Sequence, residues 1–224
     1  MTTRFKHYPP EPKNTECKKA YLILCNTHDA ASSFLDIFEE VRKTRKAKGM
    51  ATYEEQDLLR AMLIFSTAGL DSMVKQLVTD ALSEIIERDA GATQMFKQFI
   101  ERRLKKSEEL DRQFLADILG DAKPRSRLIG ELVSDLTSRS LQSTEQLMRV
   151  ASHFNIPSKD LCTDIPYLTR IFSARNQIAH EMDAEFAQSK RTRRLRAKEM
   201  MTEFTNEVFQ ISGKFVSQVD QRIP

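Results

Sequence analysis

The chain is poor in the residues that build turns and sheets. Its 224 residues include no tryptophan, six glycines and seven prolines, and this composition disfavours a turn-rich β fold. Hydrophobic residues make up 40% of the chain and charged residues 30%, as in an ordinary globular protein. The length suits one sizeable core, with room for an inserted subdomain. We therefore expect an all-α protein.

Cysteines and long apolar runs are scarce as well. Cys17, Cys25 and Cys162 lack metal-ligand spacing, so we expect reduced structural thiols and no metal or cofactor. No run approaches the roughly 20 apolar residues that span a bilayer, and the N-terminus has no apolar signal core. The net charge is only +3, so an electrostatic partner must be sought in local clusters. These features favour a cytoplasmic protein without a membrane partner.

The apolar periodicity divides the chain into an arm, a helical core in two pieces and a helical insert. The arm spans residues 1–14, which contain three prolines and are expected to be extended. The core comprises residues 15–91 and 159–224, where apolar residues recur at steps of three and four. Residues 92–158 break into four shorter amphipathic segments that are expected to be helical, one of them from Ser107 to Leu119, and together they form the predicted insert.

The second helix of the predicted core has the strongest local signals. Thr52 to Glu55 is a capping box, and the long apolar run after it predicts a deeply buried helix to Asp89, closed by Ala90 and Gly91. Gly69 lies in the middle of this run. Because glycine costs a helix about 1 kcal/mol relative to alanine, its presence indicates a close helix contact or a kink.

One hexapeptide, R-N-x-x-x-H, suggests a reaction. It places Arg175, Asn176 and His180 in the predicted helix from Pro166 to Met182. An imidazole can transfer a proton near neutral pH, and a guanidinium stays charged and matches phosphate geometry. On a helix Asn176 and His180 share a face, whereas Arg175 is offset from His180 by about 140°. We therefore expect the arginine of one protomer to meet the histidine of another across a two-fold axis.

The hexapeptide resembles the active-site motif of the HEPN superfamily, whose active members are helical, dimeric ribonucleases. The matching residues are Arg175-Asn176-Gln177-Ile178-Ala179-His180. The apolar stretch from Leu58 to Leu77 is also similar to the long buried helix of the RiboL-PSP-like subgroup, which is associated with ribosomal and phage-related RNA cleavage. The resemblance covers the predicted core and leaves the insert unexplained.

This resemblance implies a HEPN-like helical bundle that forms a two-fold homodimer and cleaves RNA without a metal. An RNA 2′-hydroxyl would attack the adjacent phosphorus and leave a cyclic phosphate. His180 would act as general base or acid, Arg175 would neutralise the phosphoryl charge, and Asn176 would orient the ring or contact the phosphate. The biological setting would be a toxin or an anti-phage effector, with an antitoxin or regulatory protein as partner. Met182 replaces the tyrosine that is adenylylated in some members, which does not support that form of control.

A basic stretch follows the hexapeptide, and residues 188–198 contain no acidic residue. We expect its cations to bind the RNA backbone through phosphate contacts; the other interpretation is a solvated loop or helix start. The residues concerned are Lys190, Arg191, Arg193, Arg194, Arg196 and Lys198.

Two alternatives to an active nuclease are open on the sequence. One is a catalytically inactive HEPN-like module that binds RNA or a protein through the basic stretch. The other is a purely structural helical protein of a larger assembly. His7, His28 and His153 lack the spacing of a zinc site, and no glycine-rich phosphate loop or serine-hydrolase elbow occurs.

Overall fold

The structure, a computed structural model, describes residues 5–6, 10–106, 109–110, 112–185 and 192–223. Helices dominate this part of the chain, which also has one short β ladder and an isolated bridge between Ala184 and Arg193, and this confirms the expected all-α class. The helices are α1 (Thr15–Thr44), α2 (Tyr53–Arg88), α3 (Ala90–Leu104), α4 (Arg112–Leu119), α5 (Pro124–Thr137), α6 (Thr144–His153), α7 (Ser158–Leu161), α8 (Ile165–Glu181) and α9 (Lys198–Asp220). The strands β1 (Lys105–Lys106) and β2 (Glu109–Leu110) pair antiparallel, with Lys105 opposite Leu110.

Helices α1 and α2 form an antiparallel hairpin that organises the bundle. Near its tip, Arg42 of α1 lies 2.8 Å from a carboxylate oxygen of Glu55 in α2. Glu55 also completes the predicted capping box by accepting from the backbone N–H of Thr52. In the middle of the hairpin, a methyl group at Gly69 would lie 2.2 Å from the Thr27 side chain. The glycine therefore permits a close approach of the two helices, which is one of its two predicted roles.

Helix α9 packs across α1 and α2 and also holds the described part of the N-terminal arm. Phe5 is buried against Phe209 of α9 and His28 of α1. The backbone N–H of Asn14 donates to Asp220 at the end of α9 over 2.8 Å. The arm is thus attached to the bundle where it is described.

The predicted insert contains α3 to α6 and the β ladder, and it packs on α2 rather than standing apart. Helices α3 and α5 contact α2, and α6 contacts α3 and α8. Their buried side chains belong to the same continuous hydrophobic cluster as those of α1, α2 and α9. The insert is therefore an extension of one core.

Two predicted boundaries in this region are wrong. Ala90 and Gly91 do not close α2: they begin α3, whose first turn is capped by Asp89 through the N–H of Ala92. Gly91 is needed there because a methyl group would lie 2.3 Å from the side chain of Asn155. The segment expected to be helical from Ser107 to Leu119 instead contains β2 and α4.

Helix α2 is buried along most of its length, and its first two turns bury polar groups as well. Glu55, Gln56 and Arg60 are each no more than 3% exposed. Arg60 faces the segment that follows α8, so α2 connects the core to the region of the hexapeptide. Within the described residues, no helix is long and apolar enough to cross a membrane.

Candidate active site

Helix α8 carries the hexapeptide and presents it on a solvent-facing side. The helix starts at the predicted position, where the Asp164 side chain accepts from the N–H of Tyr167 over 2.8 Å and Pro166 lies in the first turn. The side chains facing the bundle are Leu168, Ile171, Phe172 and Ala174. On the other side, Asn176 and His180 are exposed, whereas Arg175 is half-buried.

Helix α8 ends at Glu181, one residue before the predicted end at Met182. Met182 adopts a left-handed conformation with φ of 52° and is 73% exposed. Asp183 is also left-handed, and its N–H returns to the carbonyl of Gln177 over 2.9 Å. The two left-handed residues stop the helix and turn the chain away, which lifts Met182 off the core.

The three hexapeptide side chains contact one another within a single chain. Arg175 Nη1 donates to Asn176 Oδ1 over 3.0 Å and lies 3.2 Å from His180 Nε2. The expectation that one helix keeps the arginine and histidine apart is therefore wrong. The 140° offset describes where the side chains start, but five residues advance only about 7.5 Å along the axis, a distance that the long arginine side chain covers.

The Arg175 contact bears on the role of one ring nitrogen of His180. A guanidinium has five N–H donors and no acceptor, so a hydrogen bond in this contact requires Nε2 as the acceptor. An imidazole whose Nε2 carries a lone pair directed at the site is in the form that a general base requires.

The guanidinium of Arg175 is partly desolvated and incompletely paired. Burial lowers the pKa of Arg175 from its ordinary value, while the negative charge of Asp71 on α2 opposes that shift. Arg175 Nε is buried and has no hydrogen-bond partner among the described residues. Arginine nevertheless remains charged, and its Nη1, which lies 3.2 Å from the exposed His180 ring, is the end of the guanidinium that can meet an anionic ligand.

A buried ionic cluster lies directly beyond the hexapeptide. Asp183 is fully buried and accepts from Arg60 Nε over 2.8 Å and from Arg196 Nη2 over 2.5 Å. The other contacts of Arg196 reach Gln177 Oε1 over 2.9 Å through Nη2 and Gln56 Oε1 over 2.7 Å through its backbone N–H. The cluster joins α2, the end of α8 and the start of α9, and so fixes the position of the last turn of α8.

The charge of Asp183 is maintained by its two arginines. Burial alone favours the neutral carboxyl, but hydrogen bonds and positive charges from Arg196 and Arg60 outweigh it and hold the pKa of Asp183 below its ordinary value. The cluster therefore contains one buried carboxylate between two nearly buried guanidinium groups.

Part of the predicted RNA-binding stretch serves this cluster. Lys190 and Arg191 lie outside the described residues. Arg196 is 8% exposed in its side chain, and Asp183 and Gln177 occupy its guanidinium, so it is not placed to meet a phosphate. Arg196 is paired because the chain turns after α8. The turn brings Asp183, which precedes the basic stretch in sequence, next to Arg196 in space.

The other three cations of the stretch are more exposed, and each has a carboxylate nearby. Hydrogen bonding to Asp57 raises the pKa of Arg193 above its ordinary value. The pairs are Arg193 with Asp57, Arg194 with Glu181 at 3.3 Å and Lys198 with Glu39 at 2.9 Å. Such partly exposed pairs contribute little to stability, so they can exchange a carboxylate for a phosphate at small cost.

A cleft of about 750 Å³ runs beside the hexapeptide along the exposed side of α8. One wall is α8, from Ile165 past Asn176 to Glu181, and the other is the first turns of α6, including Glu145 and Met148. Its volume lies within the usual range for small-ligand sites. Asn176 belongs both to the cleft wall and to the hydrogen-bonded hexapeptide.

The sequence contained a weak signal for the cluster. Arg60 occupies a core-facing position in the apolar run of α2, beside Leu59 and Leu63, and a buried arginine requires an anionic partner. Nothing local identifies Asp183 as that partner. Within the described ranges, no group of three or more His, Cys, Asp or Glu side chains is placed to hold a metal ion.

Comparisons with protein-family models, with curated proteins and with solved structures found no match to this chain.

Proposed function

We propose that this protein is a metal-independent endoribonuclease of the HEPN type. The observation that carries the proposal is the contact of Arg175 Nη1 with His180 Nε2 at 3.2 Å and with Asn176 Oδ1 at 3.0 Å. It joins a proton-transfer group and an anion-binding group on the solvent-facing side of α8. The sequence resemblance to the HEPN motif gives the reaction class.

The reaction requires one proton acceptor and one proton donor. His180 Nε2 removes the proton of an RNA 2′-hydroxyl, and the oxygen forms a bond to the adjacent phosphorus. The bond from phosphorus to the 5′-oxygen breaks, and that oxygen takes up a proton. The products are a 2′,3′-cyclic phosphate and a 5′-hydroxyl, and no water or metal is consumed.

Arg175 and Asn176 have the remaining roles in the proposed reaction. When a phosphodiester arrives, the guanidinium exchanges its contact with Nε2 for the phosphoryl oxygens, which frees the nitrogen lone pair and neutralises the charge that builds up. Asn176 accepts from Arg175 and keeps its guanidinium beside the ring.

A second copy of the chain would supply the proton donor. One imidazole cannot accept the 2′-hydroxyl proton and donate to the 5′-oxygen in the same step, and the other described histidines, His28 and His153, are buried. We therefore extend the proposal to a two-fold homodimer in which one His180 is neutral and the other protonated. The second copy is needed for this proton and not to bring an arginine to the histidine, because each chain already joins its own Arg175 and His180.

The wider proposal follows the same resemblance. Arg193, Arg194 and Lys198 are the described cations available to contact RNA phosphates outside the reacting bond. A cytoplasmic location is part of the same proposal. A toxin or anti-phage effector, restrained by an antitoxin or regulatory protein, is the biological setting we propose.

Cleavage of structured and single-stranded RNA in the presence of EDTA tests the assignment. Replacing His180 by Ala should lower the cleavage rate by about 10² to 10⁴-fold, and Arg175→Ala by about 10² to 10³-fold. Arg170→Ala is the matched control, since Arg170 is exposed on α8 outside the hexapeptide. It should cleave like the parent, and circular dichroism should show all three variants folded.

Two outcomes would contradict the proposal. If His180→Ala cleaves as fast as the parent, the reaction does not use this residue. If parent and variant both bind RNA and neither cleaves it, the chain is the inactive binding module. A strictly monomeric parent in analytical ultracentrifugation, together with full activity, would remove the second histidine from the mechanism.

A further inference from the structure

The cleft beside the hexapeptide has a lining that does not suit a phosphate backbone. Among the described residues that line it there is no lysine, arginine or histidine. Glu145 and Glu181 lie at its two walls. The Glu145 carboxylate repels phosphate, and the Glu181 carboxylate is already paired with Arg194 at 3.3 Å. The cations that can meet phosphate, such as Arg175, lie outside the lining. A nucleic acid would therefore place its phosphates at the hexapeptide and a neutral part in the cleft.

The cleft lining does suit a nucleobase. Met148, Ile165 and Phe172 provide apolar surface, and Thr144 and Thr169 join the two walls through a 3.0 Å hydrogen bond between their hydroxyl groups. Hydroxyl and amide groups around this surface can donate and accept, whereas a carboxylate can only accept. The carboxylates thus favour an exocyclic amino group over the N3–H of uracil, because that N–H lies between two carbonyl oxygens, which a carboxylate repels.

The position of the cleft links it to the reacting phosphate. Asn176 forms part of its wall and accepts from Arg175, whose guanidinium lies 3.2 Å from His180. The wall formed by α8 extends from Ile165 to Glu181, a rise of about 24 Å. A nucleotide next to a phosphate held at Arg175 therefore has the mouth of the cleft within reach.

We propose that this cleft binds the unpaired base next to the cleaved phosphodiester and prefers cytosine, adenine or guanine to uracil. The amino group donates to Glu145 or Glu181, and the ring lies against Met148 and Ile165. A base inside the cleft cannot also be paired, so cleavage requires a single-stranded or flipped-out nucleotide. This inference rests on the proposed nuclease function and adds its substrate preference.

Sequencing of product ends from a randomised single-stranded RNA pool tests the inference. The parent should show depletion of uracil at one of the two positions flanking the cut. Glu145→Gln keeps the size of the side chain but removes a pure acceptor, so it should weaken that preference by about two- to tenfold, the range for one hydrogen bond. Glu101→Gln, an exposed change on α3 away from the cleft, should leave the preference unchanged.

A second variant tests the cleft by filling it, so the result does not depend on the single hydrogen bond to Glu145. Ser173 is exposed on the α8 wall of the cleft, so Ser173→Trp fills the space without disturbing the core. It should slow cleavage of the pool by at least about tenfold and flatten the remaining base preference. Fully paired RNA should resist the parent.

The outcomes separate this inference from the proposed function. A parent that does not cleave RNA overturns both. If the parent cleaves in a His180-dependent way and its flanking-base profile matches those of Glu145→Gln and Ser173→Trp, only the cleft assignment fails. Equal cleavage of paired and unpaired RNA would also overturn the cleft assignment alone.

Discussion

Replacing Asp183 by Asn should strongly destabilise the fold. The change leaves Arg60 and Arg196 nearly buried, with side chains 4% and 8% exposed, and without their shared carboxylate. Removing one partner from a buried ion pair costs about 3–5 kcal/mol, because the remaining charge stays desolvated. Asparagine tolerates the left-handed backbone of this position as well as aspartate does, so the loss reports the missing charge and not backbone strain.

Equilibrium urea unfolding measures the effect. We expect the free energy of unfolding of Asp183→Asn to fall by about 3–5 kcal/mol, out of a typical total of about 5–15 kcal/mol. Glu39→Gln is the matched control, since it breaks an ion pair with Lys198 in which both side chains are 39% exposed. That change should cost no more than about 1 kcal/mol. A loss for Asp183→Asn as small as the control would refute the reasoning about the cluster.

The contribution of the Asp183 cluster to stability should also depend on pH. The folded-state pKa of Asp183 is depressed, so its stabilisation is complete above the ordinary aspartate pKa of about 3.9 and is lost as the pH falls through the depressed value. The parent should therefore lose this stability only below about pH 4. Asp183→Asn lacks the titrating group, and its unfolding free energy should depend less on pH in that acidic range.

Two further predictions concern stability elsewhere in the bundle. Burial lowers the pKa of His153 to about 4, and repulsion from Arg149 and Arg102 adds to the shift. The neutral ring is therefore preferred in the folded state. The stabilisation is complete above about pH 6.5, and the free energy of unfolding falls by about 3 kcal/mol as the pH drops towards 4. His153→Leu should flatten that part of the pH profile in urea titrations, and an unchanged profile would contradict the burial argument. Gly69→Ala should lower the free energy of unfolding by about 1–3 kcal/mol, because the added methyl group meets Thr27. Gly130→Ala in α5 has nothing within 4 Å of the added carbon, so it should raise the free energy of unfolding by about 0.5–1 kcal/mol. Thermal unfolding of the two alanine variants checks the pair, and shifts of the same sign would contradict the packing at Gly69.

Local signals in the sequence predicted the helix ends that depend only on neighbouring residues. The start of α2 follows from the capping box at Thr52 and the start of α8 from Pro166, because a cap or a first-turn proline acts only on neighbouring residues. The start of α3 was missed because Gly91 reflects contact with Asn155, 64 positions away in the chain. Gly91 is typical of a helix end in its local sequence, but the structure needs it because Asn155 packs against it.

The candidate site was predictable in its residues but not in its contacts. The hexapeptide identified Arg175, Asn176 and His180, yet helical angles alone could not show that the arginine side chain reaches the ring. The basic stretch was recognised as charge, but its pairing with Asp57 and Asp183 depends on how the chain returns to α2. Ion pairs between distant segments leave no periodic pattern, so the burial of Arg196 appears only in three dimensions.

The chemistry of the cleaved ends tests the central claim most directly. RNA incubated with the parent protein in EDTA should yield fragments that carry 2′,3′-cyclic phosphate and 5′-hydroxyl ends by mass spectrometry, and His180→Ala should yield almost none. Fragments with 5′-phosphate ends, or the same cyclic ends at an equal rate from His180→Ala, would contradict a reaction in which His180 removes the 2′-hydroxyl proton.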